Sequence, residues 1–368
     1  MKKNDRRVGW RITCVAVAAF LLLMVSMLVL LQRYLGKIGR YGAEDDYTMS
    51  QEQIYQMEKE IIRQEREESI ASSIAEEKRV STATTAPTEE SIPPTEPPTQ
   101  PPTEVPTMPA DETEPTEGKV YEVVNILLIG QDRRSANERA RSDTMILCSI
   151  DRTDNTITLT SFLRDLYVQI PGHEDNRLNV AYPIGGKGLL NATLLENFGV
   201  EVDANIEVDF SGFEAIVDAM GGVDIDMTTA EVDHLAEFYD YHHLVPGINH
   251  LSGEEALAYS RIRYIDSDFQ RTGRQRTVLN ALIDNVRDAS MVEMLSLVDT
   301  MLPLIKTDMT DKQIIEYVLD FFPMLGDCKI VSQRVPMDNG FEYAEVRGMS
   351  VIKAYPNSTR DMLEKTTR

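Results

Sequence analysis

Ile12 to Leu31 contains no charged residue and is rich in Leu, Val, Ala and Met, about 20 residues in all. At roughly 1.5 Å per residue, a helix of that length spans a hydrocarbon layer of ~30 Å. This run constrains the rest of the chain, because whatever folds must do so on one side of a membrane. Lys2, Lys3, Arg6, Arg7 and Arg11 crowd its N-terminal side, which assigns residues 1–11 to the cytoplasm. A cleavable signal peptide would have an apolar core of only about 7–15 residues and then a small-residue cleavage site. Gln32-Arg33-Tyr34 follows instead. Residues 12–31 are therefore read as an uncleaved, single-pass signal-anchor in the cell membrane, with everything beyond it extracytoplasmic.

Two segments separate this anchor from any core. Residues 32–81 are charged, and from Glu52 to Arg79 they lack Gly and Pro and carry Ile54, Met57, Ile61, Ile62 and Ile70 at roughly helical spacing. That predicts a juxtamembrane helix, self-associating or merely solvated, since the apolar stripe is thin. Residues 82–118 turn to Thr, Pro and Glu, with paired prolines at 93–94, 97–98 and 101–102. Proline fixes φ and removes donors, and there is little to bury, so a disordered, extended linker is expected. Charge follows the same divisions. The whole chain is −23, with 60 acidic and 37 basic side chains. Residues 1–40 hold eight basic and one acidic, residues 41–118 five and nineteen, and residues 119–368 twenty-four and forty. An acidic balance of this size argues against a nucleic-acid partner, because phosphate backbones select basic surfaces.

Residues 119–368 have the texture of one folded domain. Val123–Ile129, Met145–Ile150, Thr156–Thr160, Leu166–Ile170, Ile206–Phe210, Lys329–Val335 and Phe341–Val346 read as strands. Leu189–Phe198, a segment opening at Ser211-Gly212-Phe213-Glu214 and stopping at Gly221-Gly222, another opening at Ser252-Gly253-Glu254-Glu255, Arg271–Arg287 and Asp311–Phe322 read as helices. Strands and helices intermingle, which predicts an α/β class: a three-layer α/β/α domain with a mixed central sheet.

Its chemistry is written in arginine. Residues 119–368 contain 17 Arg and only 7 Lys, and guanidinium is suited to bidentate contact with phosphate or carboxylate. Arg261 and Arg263 fall two apart, on the same side if the segment is extended. Arg271 shares a helix face with Arg274 or Gln275. Together they could converge on one anion; the alternative is a solvated basic face. Asp132 and Asp143 stand at strand–loop junctions beside Arg133 and Arg141. Two such carboxylates suit a hard divalent cation bridging to phosphate oxygens, or are ordinary loop acids. Arg164-Asp165 and Arg177 complete the charged groups.

In order and wording these blocks resemble the LytR-CpsA-Psr family of cell-wall glycopolymer transferases. The matching text is Asn125–Arg133, Arg141–Met145, Ser161–Val168, Arg177–Ala181, Asp209–Val223, Leu251–Arg263 and Asp268–Leu279, closely over residues 120–290 and more loosely to 368. The resemblance implies a membrane phosphotransferase that moves a glycopolymer, such as a teichoic acid or capsule, from a polyprenyl-pyrophosphate carrier to a peptidoglycan hydroxyl. Asp132 and Asp143 then stand as Mg²⁺ (or Mn²⁺) ligands, and Arg141, Arg164, Arg177, Arg261, Arg263, Arg271 and Gln275 as pyrophosphate ligands. Arg164, Asp165 and Arg263 are the catalytic residues, Asp165 orienting arginines or accepting a proton. Arg177 replaces a frequent lysine, Phe162-Leu163 stands where a proline is common, and Gln131 replaces a small residue. An apolar prenyl pocket is also implied, which Leu189, Leu190, Leu194 and Leu195 with Val278, Leu279, Leu282 and Ile283 could line, unless these are ordinary core. Two other readings use the same residues: a pyrophosphatase that substitutes water for the sugar hydroxyl, and a non-catalytic wall-binding or regulatory protein. The five histidines show no metal spacing, and Cys148 and Cys328 could pair only if the fold brings them together.

Overall fold

The computed structural model describes residues 39–41, 48–60, 62–63, 66–67, 123–131, 141–263, 265, 267–287, 293, 297 and 300–367. The expected anchor, linker and Asp132 lie outside them, and among the described residues no helix is long and apolar enough to cross a membrane. Two compact units are distinguished, one comprising Met1–Tyr55 with Tyr121–Arg368, the other Gln56–Val120. In the second, residues 56–60, 62–63 and 66–67 are helical.

The first unit is built on seven strands in the order β1 (Gly39–Arg40), β10 (Lys306–Thr307), β7 (Ala204–Asp209), β2 (Val123–Gln131), β3 (Ser142–Asp151), β4 (Thr156–Phe162) and β11 (Lys329–Val335). β7 runs parallel to β2, β3 antiparallel to both β2 and β4, and β11 parallel to β4. This is the mixed sheet that the intermingled pattern predicts. The unit also takes in residues ahead of position 119: β1 pairs with β10, and the Met49 amide donates to the Ile184 carbonyl at 2.9 Å.

Alternation along the central strands sets the layers. Leu127 and Ile129 join Met145 and Leu147 in a core closed by Leu190, Leu194 and Phe198 of α1 (Leu178–Phe198) and Leu363 of α7 (Pro356–Thr367). Val124 and Ile126 face the other way, with Ile146, Ile157 and Leu159; Leu279 and Ile283 of α5 (Asp268–Arg287) and Ile314 of α6 (Asp311–Phe321) pack there. A third cluster is made by the hairpin β8 (Val223–Met227) and β9 (Gly247–Leu251) with α2 (Phe210–Ala219), α3 (Thr229–Tyr239), α4 (Gly253–Ser260) and α5.

Caps decide several boundaries. α4 opens with the Ser252–Glu255 capping box that its spacing predicts. α2 does not open at Ser211. Asp209, the last residue of β7, accepts from the Gly212 amide at 2.8 Å, and the helix begins one residue earlier, because a carboxylate at that position reaches the free N–H groups of the first turn. Leu166–Ile170 yields only a two-residue strand, β5 (Tyr167–Val168), paired with β6 (Asn176–Arg177). After β12 (Phe341–Val346) the chain adds β13 (Met349–Ala354) and α7, both beyond what the pattern announced.

Candidate functional site

β2 and β3 are one antiparallel pair whose register slips near the end. Gly130 faces Thr144 and Gln131 faces Ser142, which leaves Asp143 outside the ladder. An extra residue of this kind bends a strand and redirects a side chain. A Cβ at position 130 would lie 2.9 Å from the Thr144 Cβ, so glycine there permits the close approach.

The Asp143 carboxylate is the point on which arginines from separate elements converge. Arg164, just after β4, places Nη1 3.4 Å from Oδ1, and Arg263, three residues past α4, places Nη2 3.6 Å from Oδ2. Arg271 of α5 directs Nη2 at the Asp143 carbonyl, 3.5 Å away, and at Asp268 Oδ1, 2.8 Å away. Arg164 Nε lies 3.5 Å from Asp165 Oδ2 and 3.6 Å from Asp268 Oδ1. Arg177 reaches Asp165 Oδ1 at 3.5 Å and also donates to the Ser350 carbonyl. Asn179 donates to Asp143 Oδ1 at 3.5 Å.

The turn that carries Arg164 and Asp165 is held from three sides. The Leu163 amide donates to Val335 at 3.0 Å, the Asn179 amide to Arg164 at 3.2 Å and the Ile352 amide to Asp165 at 2.9 Å. Backbone pairing of this kind presets the two side chains.

The electrostatics follow from the census. Burial pushes the Asp143 carboxyl up, but Arg164, Arg271, Arg263 and Arg141 outweigh it and hold the group at about 2. Asp165 goes the other way. Burial raises it, helped by Asp268 and Asp143, against Arg164 and Arg271. Burial, then the neighbouring Arg164, with Arg263 adding to them, pushes Arg271 down to about 10. Burial likewise takes Arg177 to about 10. Arg164 and Arg263 stand farther from Asp143 than the ~2.7–2.9 Å of a full charge-assisted hydrogen bond. The buried oxygens Asp268 Oδ2, Asn179 Oδ1 and Gln275 Oε1 have no hydrogen-bond partner among the described residues. An arginine-rich cluster whose ion pairs to Asp143 are 3.4 Å and 3.6 Å long can exchange such contacts for those of a multiply charged oxyanion. Its donors are all hard oxygens, which suits Mg²⁺, although among the described residues no three acidic, histidine or cysteine side chains are arranged as a metal site.

Of the residues singled out from the sequence, the structure brings together Asp143, Arg164, Asp165, Arg177, Arg263 and Arg271, with Arg141 near enough to act on Asp143. Gln275 lies one turn beyond Arg271 in α5. Arg261 is placed elsewhere. It caps α4 in a helical rather than extended conformation (φ −103°, ψ −1°), and its guanidinium lies 4.5 Å from the Phe210 ring centroid. The two-residue alternation that would align it with Arg263 is therefore absent. Asp268 and Asn179 were not singled out; the i,i+3 spacing of Asp268 and Arg271 in a first turn was the available signal. The apolar residues proposed to line a prenyl pocket split up: Leu190 and Leu194 belong to one face of the sheet, Val278 and Leu282 to the hairpin cluster, Leu279 and Ile283 to the other face. Cys148 and Cys328 are both free thiols. His243 and His250 meet Glu255 and Asp224 at 2.7 Å.

A bulged aspartate ringed by arginines, at the end of a mixed sheet between two helical layers, defines an α/β/α domain with an arginine-rich site. The chain belongs to the LytR_cpsA_psr family, whose model matches residues 94–366. It is 36% identical over 210 residues to a polyisoprenyl-teichoic acid–peptidoglycan teichoic acid transferase, TagU, of Bacillus cereus, a match that covers 55% of this chain and 66% of the relative. The chain spans between 45% and 66% of the length of the first curated relatives it matches. Among solved structures, TagT bound to LIIa-WTA is similar with a TM-score of 0.56 and 29% identity, covering 70% of this chain and 94% of that one. A LytR-CPS2A-psr family protein, YwtF (TagT), with bound octaprenyl pyrophosphate lipid is similar with a TM-score of 0.53 and 26% identity, covering the same shares.

Proposed function

We propose that this chain is a membrane-anchored phosphotransferase that moves a glycopolymer from a polyprenyl-pyrophosphate carrier to a hydroxyl of peptidoglycan. The observation that carries this reading is the convergence of Arg164, Arg263 and Arg271 on Asp143. It is supported by the transferase names of relatives and by the pyrophosphate lipid bound in a similar structure.

In this reading the pyrophosphate lies among Arg141, Arg164, Arg263 and Arg271, with Gln275 beside them and Arg177 supporting Asp165. The acceptor oxygen attacks the sugar-side phosphorus, the bond to the bridging oxygen breaks, and polyprenyl phosphate leaves. Charge on the leaving phosphate is stabilised by the preset guanidiniums without a covalent protein intermediate. The hydroxyl proton passes to Asp165, whose raised pKa makes it a better base than Asp143. Asp143, ionised throughout, and Asp132 would hold Mg²⁺ or Mn²⁺, which supplies neutralisation of the phosphate oxygens.

The test uses the full chain in detergent with a defined polyprenyl-pyrophosphate glycan, Mg²⁺ and peptidoglycan oligomers, read by mass spectrometry. A phosphodiester-linked product is expected. Free phosphoglycan instead would make the chain a pyrophosphatase, and no turnover would make it a binding protein. A reporter fused to the C-terminus is expected on the outer side of the membrane.

A further inference from the structure

Across α5 from the Asp143 cluster lies a second concavity, of about 560 Å³, that the chemistry above does not use. It falls in the range of about 300–1,000 Å³ in which small ligands are held. Gln270, Gly273, Arg276, Thr277 and Asn280 of α5 form one wall and Ser332 of β11 another. Amides, hydroxyls and guanidiniums that can meet sugar hydroxyls line the concavity, together with the Tyr259 ring and the Glu231 carboxylate.

Three details point to a charged sugar. Arg276 is half-buried and donates to the Ser161 hydroxyl at 2.7 Å, and among the described residues it has no carboxylate partner. Its Nε is buried without a hydrogen-bond partner, and so is Asn280 Oδ1. Burial, with Arg334 adding to it, pushes the Arg276 guanidinium down to about 10, so an anion would relieve it. Glu231 also borders the groove, but it is engaged by Arg274 at 3.4 Å and by the Thr228 cap. Finally, a Cβ at position 273 would meet nothing nearer than Gln270 Oε1 at 4.0 Å. The floor of the groove is open there because the residue is glycine.

We infer that this groove is a subsite for an anionic saccharide, its charged group seated on Arg276 and its ring over Gly273. The inference rests on the transferase reading, in which both donor and acceptor extend well beyond the reacting atoms. The groove reaches the first turn of α5 at Gln270, one residue from Arg271, so a glycan rounding that turn connects it to the pyrophosphate cleft.

The test is direct binding to the full chain in detergent, without turnover. Three soluble probes are titrated: a muramyl-glycan tetrasaccharide bearing peptide carboxylates, an oligosaccharide joined by phosphodiesters, and uncharged chitotetraose. One anionic probe is expected to bind at least tenfold tighter than chitotetraose, the muramyl probe assigning the groove to the acceptor and the phosphate probe to the donor polymer. Gly273→Leu, which fills the groove with a better helix former, and Arg276→Gln are each expected to weaken that probe at least fivefold, with Arg276→Lys between wild type and Arg276→Gln. Equal binding of charged and uncharged probes, or unchanged binding by folded Gly273→Leu, overturns the inference. Absence of turnover by the wild-type chain would sink the transferase reading and leave this binding result standing.

Discussion

Arg271 and Arg274 lie three residues apart in the same helix and are buried to nearly the same degree, 2% and 5% exposed, yet they do opposite things. Arg274 is tied to neighbouring elements: Glu231 stands at 3.4 Å and the Ile262 carbonyl accepts at 2.8 Å. Arg271 has Asp268 at 2.8 Å but is crowded by Arg164 and Arg263, which depress it further after burial has done so. A buried guanidinium with dedicated acceptors is a clip between elements. One buried beside other cations, its aspartate shared with Arg164, belongs to a cluster in which arginines outnumber carboxylates and an anion can be accommodated.

The contrast predicts different losses. Arg263→Ala or Asp143→Ala should lower turnover of a polyprenyl-pyrophosphate-linked glycan by about 10²-fold or more, while the thermal midpoint moves by only a few degrees. Retained turnover in Arg263→Ala would break the distinction at its strongest point. Glu231→Ala should do the reverse. Leaving Arg274 buried without its carboxylate costs about 3 kcal/mol, read as a lower urea midpoint, and turnover should follow only the folded fraction.

Acid gives a third comparison, between Asp143 and Asp165. Asp143, held at about 2 against an ordinary 3.8, stabilises the fold above pH 4, and that contribution, roughly 2 kcal/mol, is lost as pH falls from about 4 to about 2. Asp165 is raised and has the opposite sign, stabilising the protonated form at low pH and losing that as its carboxyl ionises. The stability advantage of wild type over Asp143→Asn in urea should therefore shrink between pH 5 and pH 2. An advantage that stays constant would mean the arginines do not act on Asp143. The smallest effect is expected at Arg261. Its contact with Phe210 is worth less than about 1 kcal/mol, and Arg261→Ala should change turnover by less than threefold.

Much of this was readable along the chain. The strands around Leu127 and Leu147 announced themselves by mainly apolar runs, the strand around Leu159 by alternation, and the Ser252–Glu255 cap by its spacing. The C-terminal β13 and α7 were not, because a six-residue strand and a helix of low hydropathy carry little periodic signal; their place is set by pairing with β12 and by contact with α1 and β2. Asp268 gives as little local signal. One acid at a helix start is common, and only the folded chain brings it to Arg164.

The sequence by itself determined the kind of chemistry, through an arginine-rich, lysine-poor region and ordered charged motifs, and the alternation that places helices on both faces of a sheet. Tertiary structure decided which arginine does what. Arg164, Arg263 and Arg271 approach Asp143 from positions 21 to 128 residues away, while Arg261 turns to a ring and Arg274 to a buried glutamate. Local spacing fixes only which side chains share a strand face or helix face. Whether a buried charge finds a partner or waits for one depends on segments that meet only after the sheet has closed.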